Sequence, residues 1–271
     1  MLRLAIRVRR EDAEVALAEL LELAPGGVEE VDLGDEVEYA VYGAPGEIPA
    51  LPDLQAAAGG ALVAVSTSEV ADDWDVRWKE FHRPVEIAGG RLHLRAPWHP
   101  SSETGSDPLS EEVVIDPGQA FGTGGHATTK LCLEALCGLA PGGALIDVGC
   151  GSGVLGIAAA KLGWAPVLGL DHEVASVAAT EENAAVNGVA MDVRRFDLRK
   201  EPVPPAPTIV ANLLRPLLLS MTLQEPPRIL VASGLLAHEG DEVAAAFARF
   251  GLRVQRRLEE AGWIALVLAG Q

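Results

Sequence analysis

A doubly wound α/β sheet, preceded by a small α+β domain and closed by an antiparallel pair of strands, is the fold class the sequence predicts. Three observations predict it. From Ala144 onward, apolar strand-like runs alternate with helical ones, the pattern of a parallel sheet with helices on its faces. The stretch ALIDVGCGSGVLG, Ala144 to Gly156, joins the first such strand to the first helix through a glycine-rich turn. The last two runs, Leu252 to Leu258 and Trp263 to Leu268, are separated only by Glu259 to Gly262, and strands so joined must pair antiparallel.

The elements of the first domain follow in order. Leu2, Leu4, Ile6 and Val8 alternate with Arg3, Ala5, Arg7 and Arg9, the period of a half-buried strand. Glu11 to Leu23 sets Ala16, Leu17, Leu20 and Leu21 apart from Glu14, Glu19 and Glu22, an amphipathic helix stopped by Pro25, Gly26 and Gly27. Strand-like runs at Val28 to Leu33 and Val37 to Tyr42 flank Gly34 and Asp35, a hairpin signal. Leu51 to Ala58 is expected to be a short helix and Ala61 to Ser66 a last strand. This β-α-β-β-α-β order is the ferredoxin-like arrangement, assigned to residues 1–67. It holds no paired nucleophile and base, so binding is expected of it.

Residues 68–100 are read as a linker segment. Trp74, Trp78 and Phe81 recur at helical spacing and put three rings on one face; Val85 to Ile87 and Leu92 to Leu94 flank Gly89 and Gly90 as a hairpin. Ser101 to Ser110 is polar loop leading into the third segment, 101–271. Next comes Ile115 to Thr129, IDPGQAFGTGGHATT, ahead of an apolar helix from Lys130 to Leu139. A plain linker would account for its glycines but not for Phe121, His126, Thr128 and Thr129, so a ligand-covering loop is favoured.

In that segment strands are expected at 144–148, 166–170, 192–196, 208–212 and 228–232, with helices at 153–162, 174–187, 215–222 and 239–250. The composition, 49% apolar and 22% charged over 271 residues, suits a sizeable core. No apolar run approaches the roughly eighteen residues of a membrane span, and MLRLAIRVRR lacks the apolar centre of a signal peptide. A cytoplasmic protein with no membrane partner is expected. Cys132, Cys137 and Cys150 form no C-x-x-C pair, and the histidines show no ligand spacing, so neither disulfide nor metal is expected. A net charge of −18 argues against nucleic acid as a direct partner. Residues 1–70 carry 14 acids against 4 bases, either a solvated face or a docking surface for a basic protein.

The glycine turn fits two ligand classes. Gly151, Gly153 and Gly156 spell G-x-G-x-x-G, the dinucleotide fingerprint, with Asp171 twenty residues past Gly151. Gly149, Gly151 and Gly153 spell G-x-G-x-G behind Asp147, the first motif of S-adenosylmethionine-dependent methyltransferases. Glycines let backbone approach a ligand, and the following helix N-terminus offers unpaired N–H groups. The terminal antiparallel pair favours the second class, because dinucleotide folds add another βαβ half instead.

With these pieces assembled, the chain resembles the bacterial methyltransferases of ribosomal large-subunit protein eleven. The likeness rests on the acidic N-terminal domain, on DDWDVRWKEFHRPVEIAGGRLHLRAPW, VIDPGQAFGTGGHATT and DVGCGSGVLGIAA, and on VANLL at 210–214. It departs from the family pattern at Gly125 and Ala127 and in a short segment between Leu214 and Ile229. The resemblance implies a Rossmann-like methyltransferase domain with S-adenosyl-L-methionine as cofactor. Carried onto this chain, it puts Thr129 near the cofactor's methionine part, Gly149 against it through the backbone, Asp171 on the ribose hydroxyls, and Asn212 at the site of transfer. Gly151 and Gly153 join the cofactor turn, and Phe121 and Gly122 the loop over it. Asp197 has two readings, an acceptor for the adenine amine or a turn cap. Asn212, too, has a second reading as the mere end of a strand.

The expected function is methylation of lysine side-chain amines, and of an N-terminal amine, on a basic ribosomal large-subunit protein by a monomeric enzyme. A small-molecule or other-protein methyltransferase is the alternative within enzymes. A non-catalytic module would be expected to carry a damaged turn, and an oxidoreductase would prefer NAD.

Overall fold

The computed structural model describes residues 2–13, 16–17, 20, 28–43, 62–69, 83–101, 109–116 and 124–270. The chain divides into two compact units, Met1–Phe81 and His82–Gln271. In the first, strands β1 (Leu2–Arg9), β2 (Glu29–Asp32), β3 (Glu36–Gly43) and β4 (Leu62–Glu69) form an antiparallel sheet in the order β2-β3-β1-β4. Alternation decides its two faces. Leu4, Ile6 and Val8 are buried with Val37 and Tyr39 against Ala13, Ala16 and Leu20, which are helical. On the other face Glu38 is buried between Arg3 (2.6 Å) and Arg7 (2.7 Å), and those hydrogen bonds hold its carboxyl below the usual range. The expected helix at 51–58 and the aromatic set Trp74, Trp78 and Phe81 lie outside the described residues.

The second unit opens with β5 (Val85–Ile87) and β6 (Leu92–Arg95), the expected hairpin, to which β7 (Glu111–Val114) adds in parallel. The sequence reading placed this hairpin in a linker segment, 68–100. In the structure Ile87, Leu92 and Leu94 are buried with Val113, Ile115, Leu133 and Leu136 in the core of the larger unit. Local periodicity identifies a hairpin but not the core it joins.

Helix α1 (Ala127–Cys137) leads to the main sheet. Its elements are β8 (Leu145–Val148), α2 (Val154–Leu162), β9 (Val167–Asp171), α3 (Val174–Val186), β10 (Met191–Arg195), β11 (Thr208–Asn212), α4 (Arg215–Ser220), β12 (Ile229–Leu236), α5 (Gly240–Ala248), β13 (Arg253–Glu260) and β14 (Trp263–Ala269). The strand order is β10-β9-β8-β11-β12-β14-β13. The first five strands run parallel, and β14 is antiparallel to both β12 and β13. Both faces are covered, so the central strands are mostly apolar on both sides. Leu145, Val167, Val210 and Val231 pack on one side with α1 and α2. Ile146, Leu170, Ile209, Leu230 and Phe247 pack on the other. The chain winds outward from β8 through β9 to β10, then restarts at β11 beside β8. The crevice at the carboxyl ends of β8 and β11 is therefore the topological switch point, where open α/β sheets bind ligands.

Candidate functional site

Two strand ends build the crevice. The carboxyl end of β8 passes into Gly149, Gly151 and Gly153, with φ of 74°, 54° and 83°, before α2 begins at Val154. The turn is held to the neighbouring strand: the N–H groups of Gly149 and Cys150 donate to the Leu170 carbonyl at 2.7 and 3.1 Å. Asp171, at the end of β9, lies 8% exposed. One carboxylate oxygen accepts from the Gly151 N–H and the other from the Glu173 N–H, each at 3.0 Å. A carboxylate has about four acceptor sites, so two backbone bonds fix the group in place and leave capacity for two hydroxyl donors.

Asp147 sits beneath the turn, fully buried. Its Oδ2 accepts from the Gly156 N–H at 2.9 Å, while Oδ1 has no hydrogen-bond partner among the described residues. Burial pushes this carboxyl up to about 7; the Gly156 N–H opposes the shift and the negative charge of Asp171 adds to it. The turn is also held from α3. Thr180 Oγ1 donates to the Gly151 carbonyl at 2.9 Å. Asn183 Nδ2 donates to the Ser152 carbonyl (2.9 Å) and, at 3.3 Å, to that of Asp116, while its Oδ1 accepts from the Asp116 N–H at 2.9 Å. One turn on, Asn187 brackets Val114 in the same way, accepting from its N–H at 2.9 Å and donating to its carbonyl at 2.6 Å. These asparagines tie the exit of β7 to the glycine turn. Sequence reasoning missed them; the signal was a pair of amides at i and i+4, one in the last turns and one at the C-cap of an otherwise ordinary helix.

The second wall is the end of β11. Asn212 is half-buried there, and its Nδ2 donates to Thr129 Oγ1 at 3.3 Å. Thr129 is itself buried in the first turn of α1. His126 caps that helix by accepting the Thr128 N–H at 3.3 Å on Nδ1 and stands edge-on to Trp263 with ring centroids 5.0 Å apart. Burial, with the nearby Lys130 charge, pushes its imidazole below the usual range against the pull of Glu260. The neutral ring is the form that can accept at Nδ1.

The structure thus brings Thr129 to Asn212, and Asp171 to Gly151. Asp197 stands apart from these pairings. Its carboxylate holds Lys200 Nζ at 2.9 Å and the Arg199 N–H at 3.2 Å, and those bonds, the Lys200 one first, hold its carboxyl below the usual range. Of its two readings, these contacts are those of a turn cap. Phe121 and Gly122 lie outside the described residues.

A sheet wound in this order, with a glycine turn and a carboxylate at its switch point, is the methyltransferase-like α/β fold. The comparisons narrow that class. The chain belongs to the ribosomal protein L11 methyltransferase (PrmA) family, whose model matches residues 48–271. A ribosomal protein L11 methyltransferase of Desulfitobacterium hafniense is 37% identical over 206 residues, covering 72% of this chain and 64% of that protein. One from Pseudomonas putida strain GB-1 is 39% identical over 198 residues, covering 70% and 66%. Each match therefore spans somewhat less than two thirds of the relative. A crystal structure of a ribosomal protein L11 methylase from Lactobacillus delbrueckii subsp. bulgaricus superposes with a TM-score of 0.62 at 28% identity, covering 70% of this chain and all of that one.

Proposed function

We propose that this protein transfers methyl groups from S-adenosyl-L-methionine to lysine side-chain amines, and to an N-terminal amine, of ribosomal protein L11. Family membership supports the reaction class, and the observation that carries the chemistry is the Asn212 amide, held by Thr129 at the switch point beside the glycine turn. The residues present suit the cofactor. Asp171 keeps acceptor capacity for two ribose hydroxyls, and the backbone of Gly149 and Gly151 bears no side chain on the approach to the crevice. Phe121 and Gly122 are assigned to the cofactor's cover on the family resemblance alone. Asp197 keeps its second reading, an acceptor for the adenine amine, from its place just after β10.

The bound cofactor supplies an electrophilic methyl group on sulfur. What remains for the protein is to present a neutral amine in line and about 3 Å away. Lysine has a free pKa near 10.4, so deprotonation at neutral pH costs about 4 to 5 kcal/mol. Exclusion of water and a neighbouring positive charge lower that cost. Because Asn212 Nδ2 is engaged by Thr129, its Oδ1 is the atom left to accept an amine N–H and aim the nitrogen lone pair.

The N-terminal unit, whose strand order agrees with a ferredoxin-like fold, is assigned to substrate recognition through its acidic residues, with the enzyme acting as a monomer. The test is incubation with labelled S-adenosylmethionine and a mixture of unmethylated ribosomal proteins. L11 should carry the label; label confined to another chain would overturn the substrate assignment.

A further inference from the structure

Between the two walls of the crevice lies Leu213, a residue that the proposed reaction has not used. Its N–H continues the sheet one step beyond Asn212, donating to the Ser233 carbonyl of β12 at 3.0 Å. At that point β12 is bulged. Ala232 pairs with Leu266 and Leu235 with Ile264, so Ser233 and Gly234 together stand opposite Ala265. Ser233 Oγ stabilises the bulge by donating to the Ile264 carbonyl at 2.9 Å.

Gly234 is where the bulge meets the crevice. Its φ is +86°, and a Cβ there would lie 2.4 Å from the carbonyl oxygen of Leu213 and 2.9 Å from its nitrogen. Those are backbone atoms, which cannot turn aside as a side chain can. On its other side Leu213 meets the cofactor turn: a Cβ on Gly149 would lie 2.4 Å from Leu213 Cδ2. The residue is thus seated between two glycines, by its peptide against Gly234 and by its side chain against Gly149. Asn212 is the residue immediately before it.

We propose that Leu213, wedged between Gly149 and Gly234, is the positioning residue that sets the Asn212 amide in register with the cofactor turn. This rests on the reading of Asn212 given above. A peptide shift of a fraction of an ångström at Leu213 moves the Asn212 amide relative to the transferred methyl group, and misplacements of about 1 Å cost on the order of a hundredfold in rate. Thr129 holds the amide from one side, and the wedge fixes the backbone from which it projects.

The test measures kcat and KM for methyl transfer to L11, and cofactor Kd, in Leu213→Ala, Gly234→Ala, Asn212→Ala and the two doubles with Asn212→Ala. Gly251→Ala is the control for backbone strain: its φ is +77°, and a Cβ there would meet nothing within 4 Å. Leu213→Ala and Gly234→Ala should each lower kcat by roughly 10- to 100-fold and leave cofactor Kd within about threefold, whereas Gly251→Ala keeps the wild-type kcat. In the Asn212→Ala background either substitution should lower kcat by less than about twofold more, because both act through the missing amide. If Gly234→Ala does not fold, Leu213→Ala carries the test alone. Low turnover in Asn212→Ala with normal turnover in Leu213→Ala would overturn the wedge. So would losses that multiply in the doubles, the behaviour of independent structural damage. Wild-type turnover in Asn212→Ala would instead overturn the reading of Asn212, and the wedge with it.

Discussion

Replacing Asp171 by alanine tests the cofactor site at the residue whose surroundings are best defined. Its two oxygens are each fixed by one backbone N–H at 3.0 Å, from Gly151 and Glu173, and each keeps acceptor capacity toward the crevice. Hydrogen bonds to a charged acceptor are worth about 1.5 to 3 kcal/mol, so loss of the ribose contacts should weaken S-adenosylmethionine binding by roughly 10- to 150-fold. The substitution also strands the Gly151 N–H and loosens the turn, which moves the result toward the upper end. Asp171→Asn separates the two effects. It keeps one acceptor oxygen, so its loss should fall between wild type and alanine. Calorimetric titration with S-adenosylmethionine and S-adenosylhomocysteine reads both variants directly. Binding of Asp171→Ala within about twofold of wild type, with the fold intact by circular dichroism, would refute the placement of the ribose.

Four further outcomes are expected. Gly149→Val should bind cofactor more weakly than Asp171→Ala, since its φ is +74° and a branched side chain there blocks the approach of the turn's backbone to the cofactor; equal affinity for wild type and variant by the same titration would contradict it. For Asp147, a carboxyl raised from 3.8 to about 7 holds its proton more tightly when folded. Its contribution to stability is therefore present below pH 4 and lost as pH rises toward 7, by on the order of 3 to 4 kcal/mol at most. The melting temperature of Asp147→Asn should then gain on wild type steadily between pH 4 and 7, and a difference independent of pH would count against it. Asn212→Asp keeps an acceptor but favours the ammonium form of lysine, so turnover should be low at pH 7 and recover partly at higher pH; normal turnover at pH 7 would move the chemistry elsewhere. A chain beginning at His82 should retain cofactor binding and lose L11 as a substrate, and full activity in steady-state assays would remove the recognition role of the first unit.

The main sheet was legible because its physics is local and repeated. Strands covered on both faces are mostly apolar, as β8 and β11 are apart from Asp147, Thr208 and Asn212, and the intervening helices show the other period. The turn and Asp171 were legible for the same reason, since a strand end, three glycines and a carboxylate after the next strand lie close in sequence. What escaped depends on register between distant segments. Asn183 and Asn187 look like surface amides until β7 is brought alongside α3. The hairpin at 85–94 was legible as a hairpin, but the core it joins was not, because Leu92 and Leu94 find their partners at 113 and 133. The bulge at Gly234 is invisible without β14, although a glycine within an apolar strand run is the kind of signal that marks one. For Asp197 the sequence left a cap and an adenine acceptor open, and only the Lys200 and Arg199 contacts favour the cap.

The most direct measurement is tandem mass spectrometry of L11 after incubation with the wild-type enzyme and deuteromethyl-labelled S-adenosylmethionine, in parallel with Asn212→Ala. Label on lysine Nζ atoms and on the terminal amine, lost or greatly slowed in Asn212→Ala at saturating cofactor, is the expected result. Label on carboxylate, amide or thiol groups, or unchanged lysine labelling in Asn212→Ala, would contradict amine methylation governed by Asn212.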